Sequence, residues 1–172
     1  IQALYNFQPG WKYSQTFDLS FDLSVHDIFV CWTNAGSLYV MGSGDVLNPY
    51  KYISSNKLNV WFSVPALGMV LEKQRLLKPG AFPEMKYVFF CGEPLLVSTA
   101  QLWQSAASYA RVINLYGPTE TTIAITGYEL PADREQICHL NGVVSIGTVF
   151  PEHAFFIGDE NGKQTNEGEL YL

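Results

Sequence analysis

Residues 114–126 read NLYGPTETTIAIT, which sets a tyrosine, a glycine-proline turn and the oxygen-bearing run Thr119, Glu120, Thr121, Thr122 inside an apolar stretch. Gly117 and Pro118 fix a tight turn that can aim successive backbone N–H groups into an anion-binding nest. The Thr119 hydroxyl can donate to a phosphate oxygen. Glu120 would repel a phosphate unless a cation lay between them, and Mg²⁺ is commonly held by one or two carboxylates together with substrate phosphates. Tyr116 offers an aromatic face to a base. The group suits a nucleotide with magnesium; a hairpin turn closed by a capping threonine suits the same residues equally well.

Such a loop needs a scaffold. Short apolar runs rich in branched and aromatic residues recur at Ser37–Met41, Leu58–Phe62, Tyr87–Cys91 and Arg111–Leu115. Continuous runs of this length fit strands buried on both faces. Helices are expected between them: one opened by a capping box at Ser24-Val25-His26-Asp27 and running to Trp32, one from Pro65, and one capped by Ser98 and ending near Ser108. Strand–helix–strand alternation implies an α/β fold, a parallel sheet flanked by helices. In such sheets ligands gather at the carboxyl ends of the strands, and FDLS (Phe21–Ser24), CGEPL (Cys91–Leu95) and YGPTE (Tyr116–Glu120) all fall there. After Thr126 the texture turns to short strands. Ala154–Ile157 and Glu169–Leu172 flank Asn161-Gly162, a strong hairpin signal, so residues 127–172 are expected to begin a small antiparallel barrel-like unit, with residues 1–126 forming the α/β unit.

Composition narrows the function classes. The net charge is -6, against a nucleic-acid footprint, which is normally basic. No apolar run approaches the ~20 residues of a membrane-spanning helix. The three cysteines, Cys31, Cys91 and Cys138, form no CxxC pair, which reads as reduced cytoplasmic thiols. His26, His139 and His153 lack metal-ligand spacing. Charged residues make up 15% of the chain, where about 25% is usual. A chain so poor in charge, opening at Ile1 without methionine, is expected to be cut from a larger body.

NLYGPTETT (Asn114–Thr122) closely resembles the nucleotide-binding motif of adenylate-forming, AMP-binding enzymes, specifically the amino-acid adenylation domains of nonribosomal peptide synthetases. FDLSVHDIF (Phe21–Phe29) resembles a second core motif of that family and FFCGEPL (Phe89–Leu95) its glycine-glutamate loop. Val144–Leu172 runs like the segment leading into its small barrel. The matches keep the family's order. The resemblance implies a flavodoxin-like subdomain followed by the start of an antiparallel β-barrel subdomain, and a two-step reaction. A substrate carboxylate attacks the α-phosphate of ATP with Mg²⁺ present, and the aminoacyl adenylate then acylates the phosphopantetheine thiol of a carrier protein.

Carried over by position, Asn114, Leu115, Tyr116, Gly117 and Thr119 should bind the nucleotide. Thr119 and Glu120 should act at the phosphates, with Glu120 as metal ligand. Asp22 should pair with the substrate ammonium; the duplicated FDLS makes Asp18 a rival, but only Asp22 precedes VHDIF. Phe21 should gate the carboxylate side. Asp22, Leu23, His26, Phe62, Phe89, Cys91, Leu115, Ile123 and Ala124 should line the amino-acid pocket, which then suits a small to medium uncharged amino acid: alanine, proline, valine or, with His26, serine. Glu93 could orient its loop or cap a turn. The family's earlier phosphate loop finds no match, GSGD (Gly42–Asp45) reads as an ordinary loop, and the ribose-binding aspartate and catalytic lysine would follow Leu172. The segment by itself is therefore expected to be inactive. An acyl- or aryl-CoA ligase of the same superfamily is the second enzymatic reading, with the carboxylate of Asp22 against it. A non-catalytic remnant that binds a partner chain is the third.

Overall fold

The computed structural model describes residues 3–171. Its strands are β1 Lys12–Gln15, β2 Ser37–Val40, β3 Val60–Ser63, β4 Tyr87–Phe90, β5 Arg111–Tyr116, β6 Thr126–Glu129, β7 His139–Leu140, β8 Val143–Val144, β9 Thr148–Val149, β10 Phe156–Gly158 and β11 Glu169–Tyr171. The helices are α1 Leu23–Thr33, α2 Ser43–Val46, α3 Pro49–Asn56, α4 Pro65–Lys73 and α5 Val97–Ala106. A seven-stranded sheet runs in the order β2-β1-β3-β4-β5-β6-β9. The first five strands are parallel, while β6 and β9 each run antiparallel to their neighbour. The wholly parallel sheet expected from the sequence is thus a mixed one, and strands beyond Thr126 join it because the chain doubles straight back after Tyr116.

The strands look uniformly apolar because both faces are covered. Trp61, Val88, Phe90 and Val112 enter one core with α3, α4 and α5, around the stacked rings of Trp61 and Trp103, 5.5 Å apart. Val60, Phe62, Tyr87, Phe89, Ile113 and Leu115 alternate into the other, which α1 covers through Leu23, Val30 and Cys31. Period-two alternation in each strand therefore feeds two hydrophobic layers. No helix of the described residues is long and apolar enough to cross a membrane.

Several local expectations are corrected. α1 begins one residue early, with Asp22 as its N-cap and no side-chain cap bond; Ser24 lies inside the helix, its hydroxyl donating to the Phe21 carbonyl at 2.7 Å. Burial of Asp27 removes it from any capping box. Ser98 is likewise internal to α5, which starts after Leu96. GSGD is not an ordinary loop: Gly42 caps α2, with the Asp45 carboxylate accepting the Gly42 N–H at 3.0 Å. β10 and β11 do pair, Phe156 against Tyr171, but the connection between them is long. The Asp159–Gly162 turn closes a smaller loop within it, so Asn161-Gly162 is not the hairpin's own turn. Leu172, expected in the returning strand, lies outside the described residues.

Candidate functional site

β5 delivers the chain to the site. Asn114 and Leu115 are buried at its end and Tyr116 emerges 41% exposed. Gly117 follows because nothing larger fits: a Cβ there would stand 2.6 Å from the Ala124 Cα and 2.9 Å from the Ile125 nitrogen, both backbone atoms. Thr119–Thr121 then form one 3-10 turn, whose bonding pattern leaves the N–H groups of Thr119 and Glu120 without partners inside it. Thr121 donates its hydroxyl to the Pro118 carbonyl at 2.9 Å, and Ile125 N–H closes the loop on the Tyr116 carbonyl at 2.9 Å. Closure forces Thr122 and Ile123 to φ of 61° and 78°, a left-handed backbone that β-branched residues rarely adopt. Strain of this kind concentrates at ligand-binding sites.

Beside this loop lies a cavity of about 360 Å³, lined by Gly92, Glu93, Pro94, Leu95, Asn114, Leu115, Tyr116, Gly117, Pro118, Val143, Val144 and Ile146. That volume lies in the range of small-molecule sites. Asn114 anchors the far wall: its amide donates to the Ser145 carbonyl at 3.0 Å, while its Oδ1 is buried without a partner. Thr119 and Glu120, exposed, follow directly on the lining residue Pro118. Glu93 ties two loops together, its Oε2 accepting the Ala66 N–H at 2.9 Å in the first turn of α4. It is a capping residue.

On the other face the expected amino-acid residues meet. Leu23, Phe62, Phe89, Cys91, Leu115 and Ala124 belong to one buried cluster, with Ile123 packed against it. The His26 ring stands edge-on to Phe62 at 4.7 Å and to Phe89 at 6.0 Å. The Cys91 thiol reaches the Ile123 carbonyl at 4.0 Å, and burial first, then the nearby Asp22 charge, pushes it up to about 11. Phe21 stands apart, 63% exposed. Asp22 has no side-chain cap bond, whereas its rival Asp18 is engaged by the N–H and hydroxyl of Ser20 at 2.9 and 2.7 Å. Those bonds hold the Asp18 carboxyl below the usual range.

Two features escape the sequence reading. The cavity wall at Val143, Val144 and Ile146 is supplied by the β7–β8 hairpin, signalled by Asn141-Gly142 between short apolar pairs. The second is the contact of His26 Nδ1 with Asp27 Oδ1 at 3.3 Å, both side chains buried. Burial lowers His26 to about 3 and raises Asp27 well above the carboxylate range, so the contact is a neutral hydrogen bond and not an ion pair. Among the described residues no three His, Cys, Asp or Glu side chains cluster as a metal site. A cation beside Glu120 would take its remaining ligands from phosphate and water, the usual habit of Mg²⁺.

The family described as AMP-binding enzyme matches residues 1–172. The D-alanine–D-alanyl carrier protein ligase of Bacillus velezensis is 37% identical over 157 residues, covering 87% of this chain and 30% of that protein. The ligase of the same name from Lacticaseibacillus casei is 32% identical over 160 residues, covering 89% and 31%. Among solved structures, the Vibrio cholerae adenylation domain AlmE in complex with glycyl-adenosine-5'-phosphate superposes with a TM-score of 0.87 at 36% identity, over 98% of this chain and 32% of that one. IdnL7 superposes with a TM-score of 0.91 at 30% identity, over 98% and 34%. The chain spans about a third of the length of the curated relatives it matches.

Proposed function

Because this chain belongs to the AMP-binding enzyme family, we propose that it is the central part of an ATP-dependent amino-acid-activating enzyme that loads a carrier-protein phosphopantetheine thiol. One observation carries this reading: the cavity beside YGPTE and the apolar cluster beside Asp22 share Leu115, so a nucleotide in one and an amino acid in the other would meet at the end of β5. The α/β unit expected over residues 1–126 would hold both ligands. The β10–β11 ribbon would open the barrel subdomain. Three free thiols fit a cytoplasmic protein.

In this reading ATP enters the 360 Å³ cavity. The unpartnered Oδ1 of Asn114 accepts from the exocyclic amine of adenine, whose ring stacks on Tyr116. Thr119 donates to the α-phosphate, and Glu120 holds Mg²⁺ together with the phosphates. The ion supplies positive charge at the phosphoryl oxygens. Asp22 takes the substrate ammonium, and Phe21 covers the carboxylate side. The carboxylate oxygen attacks the α-phosphorus as the bond to pyrophosphate breaks. The carrier thiol then attacks the acyl carbon and AMP leaves with the electron pair of the mixed anhydride. The protein's part is alignment and charge stabilisation, which can supply most of such a barrier.

The substrate is small and uncharged, in the alanine, proline, valine or serine class. Phe62 and Phe89 are fully buried and fill the space a large side chain needs, and Asp27 is held uncharged. Relatives named for D-alanine and a neighbour holding a glycyl adenylate support that size. The test is amino-acid-dependent ATP–pyrophosphate exchange by the full-length parent. Glu120→Ala should lower it on the order of 10²-fold or more, the cost of one key stabilising group. Near-normal exchange by that variant at limiting magnesium would remove Glu120 from the mechanism.

A further inference from the structure

His26 follows Asp22 by one turn of α1, so the helix presents both side chains on one face. Its imidazole is only 5% exposed, in an aromatic setting made by Phe62 and Phe89. The Nδ1 edge is taken by Asp27. Nε2, at the opposite edge, is buried with no hydrogen-bond partner. Burial keeps the Asp27 carboxyl protonated, so Asp27 donates to Nδ1, and the neutral ring must carry its own proton on Nε2. The orphan is therefore a donor. A buried donor left unpaired is destabilising, and buried polar side chains in folded proteins nearly always have partners.

We propose that His26 is a specificity-determining residue whose Nε2–H donates to an oxygen on the side chain of the bound amino acid, so that the site selects a small hydroxyl-bearing, serine-type substrate over a hydrocarbon one. The inference rests on the reading of this cluster as the amino-acid site, and it narrows the class given above. Reach supports it. Successive turns of a helix are about 5.4 Å apart, which matches the span from an ammonium held at Asp22 to an oxygen one or two carbons along the side chain. A longer side chain would carry its oxygen past Nε2 into Phe62 and Phe89, neither of which has any exposed surface. A cationic side chain would set N–H against N–H. A site built to bond a hydroxyl rejects the analogue that lacks it far more strongly than an apolar pocket separates two hydrocarbons.

The experiment measures kcat/KM for ATP–pyrophosphate exchange by the full-length parent with size-matched pairs, serine against alanine and threonine against valine, in both enantiomers. The wild type should favour the hydroxylated member of at least one pair on the order of 10²-fold or more. His26→Leu should abolish that preference, and His26→Gln, which keeps a donor, should retain part of it. A wild type that uses alanine or valine as well as its hydroxylated partner overturns the proposal while leaving amino-acid activation intact, as does an unchanged ratio in His26→Leu. Absence of exchange with every amino acid overturns both. Should His26→Leu fail to fold, the wild-type ratios decide the matter.

Discussion

His26 and Asp27 share a hydrogen bond yet depart from their ordinary acidities in opposite directions, His26 down to about 3 and Asp27 well up. Their effects on stability therefore oppose each other. An unfolded histidine protonates near 6.5; the folded His26 does not until about 3. Its contribution is complete above pH 6.5 and is lost as pH falls through that window. Unfolded aspartate ionises near 3.9, but the folded Asp27 keeps its proton, so its contribution is complete below that pH and is lost as pH rises. Between about pH 4 and 6.5 the two slopes cancel, and stability should be nearly flat. Asp27→Asn exposes the histidine slope, stability rising with pH by up to about 1.4 kcal/mol per unit. His26→Gln exposes the opposite slope. Urea midpoints at unit steps from pH 4 to 7 measure both, and parallel profiles in the two variants would show that the pair is an ordinary charged contact.

At the level of elements, the loop from Tyr116 to Ile125 depends on Gly117. An alanine there presses on the backbone of Ala124 and Ile125, an overpacking of about 1–3 kcal/mol. Gly117→Ala in the parent should weaken binding of a nonhydrolysable ATP analogue about tenfold or more. Gly44→Ala, on α2 with nothing within 4 Å, should leave binding unchanged; calorimetry on both variants is the check. The same loop marks what a sequence can reveal. YGPTE, CGEPL and the strands β3, β4 and β5 were legible because each is continuous and chemically distinctive. β1 was not. Lys-Tyr-Ser-Gln looks polar, yet Ser14 and Gln15 are buried. Ser14 Oγ accepts the Phe62 N–H at 2.9 Å and Gln15 Oε1 accepts the Phe17 N–H at 2.9 Å. Side chains there replace backbone partners, which is why β1 and β3 pair in register only at Tyr13 and Val60. Glu93 capping α4 and Asn114 holding Ser145 join residues 27 and 31 positions apart, and no local pattern encodes them.

For the molecule as a whole, the low charge content has a visible counterpart. Phe21, Val25, Phe29 and Trp32, along one side of α1 and its lead-in, are 63%, 45%, 58% and 62% exposed. Apolar residues on both sides of a helix mark it for burial, and the relatives are about three times longer. The chain isolated as residues 1–172 should therefore bind a hydrophobic dye and self-associate. Phe29→Ser with Trp32→Lys should suppress both at a folding cost of no more than about 0.5 kcal/mol. Dye fluorescence and light scattering test this, and a monodisperse, dye-silent wild-type chain would refute it. The pleat of the central sheet bears on ancestry. Phe62, Phe89 and Ile113 face the layer with Asp22, while Asn114, one residue on, turns to the opposite side to hold the cavity wall. Changes that retune one chamber need not disturb the other, so descendants of a single gene can diversify in diet while inheriting a constant fuel. Leu115, which borders both chambers, is the place where that independence ends and where drift should be slowest.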